Sequence, residues 1–258
     1  MYRAKPVDGI AWITGASSGI GRGVALELVR RGYRVAVTAR RGEELEALAR
    51  ETGGVISIFP GDVTDVAAMS LIVAAVEDAH GPIALAFLNA GGNFRDSSDD
   101  PCGENFRRTL DLNINGAVNC LRPLVKTMRA RGRGQIALNA SVAGYAGMPG
   151  AAAYCASKAA VIAMGESLHV DLAADGINLQ VVCPGYVRTP LTERAEYPKP
   201  FMLELDDAVQ RICDGFERKG FEIAFPKRMA LLLKLLTKLP APLFFWLMRQ
   251  GNKKALKS

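Results

Sequence analysis

The sequence predicts an α/β fold in which a doubly wound parallel sheet carries helices on both faces. Short apolar runs rich in β-branched residues alternate with longer segments of helical period, the order expected for repeated strand–helix–strand units. A glycine-rich turn follows the first apolar run. The 258 residues are 49% hydrophobic and 22% charged, which suffices for one large core. We therefore expect a single domain over residues 1–225, followed by a basic, apolar helical extension over 226–258.

The predicted elements alternate in a regular order. Gly32 closes the first helix because glycine tolerates the backbone conformation that ends helices. Pro123 lacks an amide N–H, so it predicts a kink or a break in the long helical stretch that contains it. The predicted strands cover residues 10–14, 34–39, 55–59, 85–88, 135–140, 178–183 and 222–225, and the predicted helices cover 19–31, 43–51, 66–79, 104–131 and 154–174.

The net charge of +6 is concentrated at the C-terminus. No acidic residue follows Glu222, whereas residues 226–258 contain eight basic residues, which leaves 24 basic and 26 acidic residues in the rest of the chain. A nucleic-acid-binding domain is expected to carry its basic residues on a folded face. The sequence therefore predicts no nucleic-acid partner.

The numbers of cysteines and histidines limit the kinds of functional site that the chain can form. The five cysteines are odd in number and form no Cys-x-x-Cys pair, which indicates free thiols in a reducing compartment. Only His80 and His169 are present, so neither a histidine-rich metal site nor a histidine-based triad is predicted, and no metal is expected. The polar N-terminus lacks the pattern of a secretory signal. We expect a cytoplasmic protein.

The first predicted strand runs directly into the motif Thr-Gly-Ala-Ser-Ser-Gly-Ile-Gly at residues 14–21. Gly15 suits the tight turn that leaves the strand, Gly19 lets backbone approach a pyrophosphate, and Gly21 lets the helix pack closely on the sheet. The helix that begins there points its free N–H groups at the anion. A glycine trio alone is a weak signal, but its position between a strand and a helix predicts a dinucleotide site.

The end of the second predicted strand bears on the choice of nicotinamide cofactor. NAD-preferring sites usually place an acidic residue there to hold the ribose 2′-hydroxyl. Here the sequence reads Ala39-Arg40-Arg41, and a guanidinium suits the 2′-phosphate of NADP. The alternative is a solvated arginine pair that opens a loop. The missing acid and the added base together favour NADP(H) over NAD(H), and Asp62 and Val63 are placed to meet the adenine.

Tyr154 and Lys158 lie four residues apart at the start of a predicted helix and so share one face. A phenol, with an ordinary pKa of about 10, is a poor base near neutrality, but a neighbouring ammonium lowers that pKa. Tyr154 can then move a proton at an alcohol or carbonyl oxygen. Ser141, at the end of the fifth strand, can hydrogen-bond the same oxygen, and Asn113 is a helical amide without an evident structural role. Each residue alone is as well explained by surface polarity or capping; together they predict an active site.

These motifs resemble those of the short-chain dehydrogenase/reductase family, over residues 14–189. The resemblance implies a Rossmann-type sheet of about seven strands in the order 3-2-1-4-5-6-7, and assembly as a homodimer or homotetramer. Two departures, Ala140 in place of a common serine and the lack of an asparagine before Asn89, remove no catalytic group. The resemblance rests on the order and spacing of the motif at 14–21, Asn89-Ala90-Gly91, Asn113, Ser141, Tyr154-x-x-x-Lys158 and Pro184-Gly185.

The resemblance also implies roles for individual residues. Tyr154 would be the general acid in reduction, Lys158 would lower its pKa and bind the nicotinamide ribose, and Ser141 would position the carbonyl. Asn113 would hold a water in a proton relay to Lys158, and Thr189 would hold the carboxamide. The expected cofactor-binding residues are Gly15, Ser17, Ser18, Gly19, Ile20, Gly21, Arg40, Asp62, Val63, Asn89, Ala90, Gly91, Tyr154, Lys158, Pro184, Gly185, Val187 and Thr189.

The loop over residues 186–204 covers the substrate in similar proteins. Its apolar residues favour an apolar substrate such as a sterol, a retinoid or a long-chain lipid carbonyl. Arg188, Arg194 and Lys199 leave an anionic head group open as the alternative. The apolar and aromatic residues of the loop are Tyr186, Leu191, Tyr197, Pro198, Pro200, Phe201, Met202 and Leu203.

The C-terminal extension has two apolar runs that Pro240 and Pro242 separate. Each run is well short of the roughly 20 residues that span a bilayer. One interpretation is a pair of helices that pack on the domain. The other is a basic, aromatic segment over residues 229–248 that makes peripheral contact with a membrane surface. Both interpretations favour a hydrophobic substrate.

The sequence therefore predicts an NADP(H)-dependent oxidoreductase that transfers a hydride between nicotinamide and a small apolar carbonyl or secondary alcohol. An epimerase or dehydratase acting on a nucleotide sugar is a second enzymatic interpretation, but such relatives usually carry a sizeable substrate domain. The alternative from another class is a non-catalytic NADP(H)-binding sensor or a membrane-associated scaffold. The presence of Ser141, Tyr154 and Lys158 favours the enzyme.

Overall fold

A computed structural model describes residues 1–94, 102–193 and 199–255, the last five by their backbone alone. Seven parallel strands form one sheet in the order β3-β2-β1-β4-β5-β6-β7. The predicted fold class and strand order are therefore confirmed. The strands are β1 Ile10–Thr14, β2 Val35–Thr38, β3 Ile56–Ile58, β4 Ile83–Leu88, β5 Gly134–Asn139, β6 Ile177–Pro184 and β7 Glu222–Phe225.

Helices cover both faces of this sheet. Side chains of α1, α2 and α8 bury one face, and side chains of α3, α5, α6 and α9 bury the other. The helices are α1 Gly19–Arg30, α2 Gly42–Glu51, α3 Val66–His80, α4 Glu104–Leu110, α5 Gly116–Ala130, α6 Ala152–Ala173, α7 Pro190–Glu193, α8 Leu205–Phe216, α9 Lys227–Leu236 and α10 Ala241–Ala255.

The strand β1 shows why the sheet needs helices on both faces. All five of its residues are buried, and Trp12 and Ile13 project into the two opposite cores. Successive side chains of a strand alternate between faces, so an unbroken apolar strand requires an apolar layer on each side. The one polar atom of Trp12, its indole N–H, donates a hydrogen bond to Thr38 Oγ1 at 2.9 Å.

The predicted helix over residues 104–131 is two helices, and the break is not at Pro123. α4 ends at Leu110, a single wide π-helical turn spans Asp111–Asn115, and α5 continues through Pro123. Burial of Leu121 and Leu124 on either side of the proline offsets its missing hydrogen bond. The wide turn instead occurs where Asn113 must point into the protein. The expectation of a break at Pro123 was therefore wrong, because α5 runs through this residue.

Helix α8 was not predicted, although its sequence carries the signals of a helix. Asp206 and Asp207 lie in its first turn, where negative charge is favourable. Val209, Ile212 and Phe216 recur at helical spacing and are buried against the same core as α1. Arg31, directly after α1, forms ion pairs with Asp214 in the last turn of α8 and with Glu217 directly after it.

The first part of the C-terminal extension packs on the domain. Met229, Ala230 and Leu233 of α9 are buried in the core that α5 and α6 share. Lys234 donates a hydrogen bond to Glu222 of β7, which also accepts one from the hydroxyl of Tyr145 at 2.7 Å. Over the described residues, no helix is both long and apolar enough to cross a membrane.

Candidate active site

A cleft of about 440 Å³ opens at the carboxyl end of the sheet, where β1, β2, β4, β5 and β6 finish. The loops that follow these strands form its walls. This edge is where open parallel sheets bind their ligands, because the strand order reverses there and neighbouring loops separate. In this sheet the reversal lies between β1 and β4. The cleft therefore has the position of a nucleotide site.

The glycine-rich motif forms one end of the cleft. Gly15 has a φ of +69°, which glycine adopts without strain, as it leaves β1. A Cβ on Gly21 would lie 2.4 Å from Asn89 Nδ2 and 2.5 Å from Gly15 O, so no side chain fits between helix and strand. The Ser18 side chain makes no capping bond to α1, whose first helical bond runs from Arg22 N to Ser18 O. The uncapped first turn can donate its N–H groups to an anion.

A hydrogen-bond network fixes this loop to the ends of β4 and β5. Thr14 Oγ1 accepts from the backbone N–H groups of Asn89 and Ala90 at 3.0 and 3.1 Å. The Asn89 amide donates to Thr14 O at 3.1 Å, and Asn139 donates to Asn89 Oδ1 at 2.9 Å. Because three strand ends share these bonds, the loop is held in place before any ligand binds.

Two arginines line the cleft beside the glycine-rich loop. Arg40 Nη1 lies 3.8 Å from Asp62 Oδ2, and both side chains remain partly exposed. Arg41 donates a hydrogen bond to Ser17 Oγ at 2.9 Å, so it reaches back onto the glycine-rich loop. Arg40, but not Arg41, was expected among the cofactor-binding residues. The signal that would have found Arg41 is its adjacency to Arg40 after β2.

Lys158 is buried beside Tyr154. Its side chain is 3% exposed, its Nζ donates to Asn139 O at 2.7 Å, and it lies 5.7 Å from the centre of the Tyr154 ring. Burial lowers the pKa of Lys158 to about 8 from its ordinary value of 10.5, because the ammonium loses its hydration. An ammonium in this place is a strong local source of positive potential for an oxygen on the cleft wall.

Ser141 lies at the start of the short helical turn Val142–Gly144, directly after β5. Its hydroxyl donates to Pro184 O at 3.2 Å and accepts from Ala143 N at 3.1 Å. Both bonds orient the oxygen on the cleft wall that also carries Tyr154. The arrangement brings a hydroxyl, a phenol and an ammonium to one end of the cleft.

Asn113 is buried behind the cleft and does not line it. Its amide donates to Gly92 O at 2.9 Å and to Ser157 Oγ at 2.8 Å, and its Oδ1 accepts from Gly92 N at 2.8 Å. The side chain therefore ties the loop after β4 to α6. These bonds use both hydrogens of the amide, so a water held by Asn113 in a relay to Lys158 would donate its hydrogen bond to an oxygen of Asn113.

The structure gathers nearly all the expected site residues around the cleft. Of those expected to bind cofactor, only Gly21 lies behind the wall, because its role is the close packing described above. Leu112, Asn139 and Thr192 line the cleft and were not expected. The expected residues on the wall are Gly15, Ser17, Ser18, Gly19, Ile20, Arg40, Asp62, Val63, Asn89, Ala90, Gly91, Ser141, Tyr154, Lys158, Pro184, Gly185, Val187 and Thr189.

The loop expected to cover the substrate is described in part. Val187 forms a bridge to Leu203, which closes the base of the loop, and Leu191 in α7 borders the cleft. Arg188 pairs with Glu204 at 3.0 Å, so its charge is already partnered. Arg194, Tyr197 and Pro198 lie outside the described residues. Among the residues that are described, no group of three or more His, Cys, Asp or Glu is arranged to hold a metal ion.

Comparison with known proteins places this site in a family. A family model described as short chain dehydrogenase matches residues 9–199. An uncharacterized oxidoreductase of Myxococcus xanthus is 37% identical over 91% of this chain and 94% of its own. A 3β-hydroxysteroid dehydrogenase of Mediterraneibacter gnavus is 36% identical over 72% of this chain and 68% of its own. The solved structure of an actinorhodin polyketide ketoreductase variant with NADPH is 27% identical, covers 86% of this chain and 97% of its own, and superposes with a TM-score of 0.76.

Proposed function

The chain belongs to the short-chain dehydrogenase/reductase family, and we propose that it reduces a small apolar carbonyl compound with NADPH, or oxidises the corresponding secondary alcohol with NADP. The observation that carries this proposal is the position of Ser141, Tyr154 and Lys158 at one end of a cleft whose other end is the glycine-rich loop. A proton-transfer group and a phosphate-binding loop on one cleft are what hydride transfer with a dinucleotide requires.

The cleft fits a nicotinamide dinucleotide. No room remains for a Cβ on Gly21, because α1 packs closely against the glycine-rich loop. The first turn of α1 has no side-chain cap, so its N–H groups can bind a pyrophosphate. We propose that the loop over 15–20 holds the pyrophosphate, Asp62 and Val63 the adenine, and Asn89 to Gly91 the adjoining ribose. Pro184, Gly185, Val187 and Thr189 would contact the nicotinamide. When bound, the cofactor supplies or accepts the hydride.

The preference for NADP(H) over NAD(H) rests on two arginines. Ala39, at the end of β2, leaves no carboxylate where one would hold a ribose 2′-hydroxyl. Arg40 and Arg41 lie on the cleft wall, and Arg41 donates to Ser17 Oγ, so a 2′-phosphate there would meet two guanidinium groups and a hydroxyl. The ketoreductase variant with a similar structure is described with NADPH, which supports the same choice.

We propose that Tyr154 donates the proton to the carbonyl oxygen during reduction. Lys158 would stabilise the resulting phenolate, since its ammonium lies on the same side of α6 and cannot turn away from its bond to Asn139 O. The Ser141 hydroxyl would turn its proton from Pro184 O to the same carbonyl oxygen and hold that oxygen near the phenol. Burial of Lys158 strengthens its effect, because an ammonium excluded from water is less screened.

An apolar substrate is supported by the wall near Tyr154. Leu112, Val187, Pro190 and Leu191 supply apolar surface there. Arg188 is paired with Glu204, which weakens the case for an anionic head group. The similar protein of Mediterraneibacter gnavus is described as a hydroxysteroid dehydrogenase, so we propose a sterol-like or lipid-like ketone or alcohol.

We also propose that the protein assembles as a homodimer, or as a homotetramer built from such dimers, through α5 and α6. A groove between these helices is lined mainly by apolar side chains, and Val118 at its edge is 43% exposed. Exposed Arg122 and Lys126 on α5 can be balanced by exposed Glu166 and Asp171 on α6 when two copies meet about a twofold axis. The groove residues are Val118, Leu121, Arg122, Val125, Lys126, Arg129, Ala130, Met164, Ser167 and Leu168.

We place the reaction in the cytoplasm. All five cysteines are free, and four of them are buried, which is typical of a protein that folds in a reducing compartment. Burial raises the pKa of Cys183 to about 12 and also raises that of Cys155, so both thiols beside the cleft remain protonated and act as packing.

The test is an oxidation assay with both reduced nicotinamides against a panel of ketones that ranges from short-chain to sterol-like. The proposal expects NADPH oxidation that depends on an apolar ketone, with a higher kcat/KM than NADH gives. Binding of NADPH without turnover of any ketone, or of any alcohol in the reverse direction, would instead support the non-catalytic sensor or scaffold.

A further inference from the structure

The outer side of α9 and α10 exposes a second apolar face. Its side chains are between 44% and 60% exposed, although they include an indole and a phenyl ring. The opposite side of α9 already buries Met229, Ala230 and Leu233, so this outer face is not needed for the core. We call it the C-terminal apolar surface; it consists of Leu231, Leu232, Leu235, Leu243, Phe245 and Trp246.

Basic side chains are exposed on the same two helices as the C-terminal apolar surface and in the turn between them. Lys227 and Arg228 at the start of α9, Lys238 after it and Arg249 in α10 are all exposed. No acidic residue follows Glu222 in the sequence, and Glu222 itself is occupied by Lys234 and Tyr145. The surface therefore combines exposed apolar and aromatic groups with four basic side chains that form no ion pair with another described residue.

The charge distinguishes between the partners that could cover this surface. A second copy related by a twofold axis would place the same basic side chains against each other, which is unfavourable. An anionic lipid surface attracts basic side chains and also accepts leucine, phenylalanine and tryptophan at the boundary of its headgroups. Neither helix is long enough and apolar enough to cross a bilayer.

We propose that the C-terminal apolar surface docks on an anionic lipid surface, with α9 and α10 lying along the interface rather than across it. This interaction does not depend on the proposed catalytic activity. Leucine, phenylalanine and tryptophan side chains enter the headgroup region, and the lysines and arginines remain at the level of the phosphates.

The two tryptophans provide an internal probe. Trp12 is fully buried in the core, whereas Trp246 belongs to the C-terminal apolar surface and is 55% exposed. We would titrate the full chain with vesicles of phosphatidylglycerol and phosphatidylcholine in equal parts, and with vesicles of phosphatidylcholine alone. The expected result is a blue shift of tryptophan emission, and quenching by brominated acyl chains, only with the anionic vesicles. Trp246→Phe is expected to abolish both signals, and Trp12→Phe to retain them.

Two variants separate the apolar from the electrostatic contribution. Phe245→Gln is expected to weaken vesicle binding roughly tenfold, because the variant loses one aromatic side chain that would be buried in the lipid. Lys238→Gln is expected to weaken it about fivefold, the effect of about 1 kcal/mol for one basic residue near an anionic surface. The matched controls are Leu71→Gln, exposed on α3, and Arg50→Gln, exposed on α2; neither is expected to alter binding.

Three results would overturn the proposal. The first is no spectral shift with anionic vesicles; the second is an equal shift with neutral vesicles, which would leave the basic residues without a role. The third is a Trp246 emission that is already blue-shifted without lipid and reverts on dilution, because a second copy would then cover the surface. Catalytic activity does not enter any of these readouts.

Discussion

The ammonium of Lys158 donates its hydrogen bond to the main-chain oxygen of Asn139, 2.7 Å away, and so connects α6 to the end of β5. This bond fixes the height of the ammonium on the cleft wall. Strand β5 also leads into the loop that begins with Ser141, two residues after Asn139. The positions of the ammonium and the serine hydroxyl are therefore set by one strand end.

Replacement of the proposed general acid separates chemistry from binding. We expect Tyr154→Phe to lower kcat roughly 10²- to 10⁴-fold, because the phenyl ring can neither donate nor accept the proton. The dissociation constant for NADPH, measured by fluorescence titration, is expected to change little, since the ring is retained. A Phe variant with near-normal turnover would exclude the assigned role.

The buried ammonium predicts a pH-dependent stability. The pKa of Lys158 is about 8 in the folded protein and 10.5 as its ordinary value. Between these values only the unfolded chain holds the proton, so the free energy of unfolding contributed by this group rises with pH across that window and is lowest below about pH 8. From about pH 8 to about pH 9.5 the gain is roughly 2 kcal/mol.

Urea unfolding of the wild type and of Lys158→Met at several pH values measures this contribution. The difference between the two proteins cancels the titration of other groups. A parallel pH dependence in both proteins would show that Lys158 retains its ordinary pKa.

Cofactor choice is expected to depend on Arg41 as well as Arg40. Arg41→Ala removes a guanidinium that already donates to Ser17 Oγ, and we expect the KM for NADPH to rise at least about tenfold, the effect of losing one hydrogen bond to a charged group. The KM for NADH is expected to stay within about twofold, because it lacks the 2′-phosphate. Arg50→Ala on α2 is the control, and equal changes for both cofactors would contradict the proposed phosphate site.

Gly21 is expected to tolerate no side chain. A Cβ there would lie 2.5 Å from Gly15 O, a backbone atom that can move only if β1 or α1 moves. We expect Gly21→Ala to lower the free energy of unfolding by about 1–3 kcal/mol and to weaken NADPH binding, as overpacking shifts the loop. Gly220→Ala is the control, because its Cβ would lie no closer than 3.9 Å to its nearest neighbour, Glu222 O, which is an ordinary contact. If the Gly21 variant bound NADPH with unaltered affinity, the close packing at Gly21 would not be needed to position the binding loop.

The proposed subunit contact predicts a change in molecular mass. Val118→Glu places a charge at the edge of the groove between α5 and α6, on a side chain that is already 43% exposed, so the fold is expected to persist. The molecular mass in solution, measured by light scattering, is expected to fall from that of a dimer or tetramer toward that of the single chain. Leu71→Glu on α3 is the matched control. If the Val118 variant kept the larger mass, the contact between subunits would not involve the groove between α5 and α6.

The strands were the most predictable part of the fold. β1 and β4 are near-continuous apolar runs bounded by glycine, proline or asparagine, and such runs indicate a buried strand. The site residues on the loops after the strands were equally predictable, because a parallel sheet brings the carboxyl ends of its strands to one edge. Tyr154 and Lys158 followed from a spacing of four on a helix.

Other features depended on contacts that no local pattern encodes. The turn at Asp111–Asn115 serves the three hydrogen bonds of Asn113, whose partners lie on the loop after β4 and on α6. The break expected at Pro123 did not occur, since burial of its neighbours stabilises the helix through it. The reach of Arg41 to Ser17 likewise joins two loops that are distant in sequence.

The contact between Gly185 and α9 changes how the end of the chain should be treated in engineering. A Cβ on Gly185 would lie 2.9 Å from Pro226 Cδ and 3.1 Å from Met229 Sδ, so the first turn of α9 supports the cleft from behind. A truncation before residue 226 would remove this backing together with α9 and expose to water the apolar core surface that α9 covers. Shortened proteins intended for crystals or assays should therefore end beyond Leu236, where only α10 is lost.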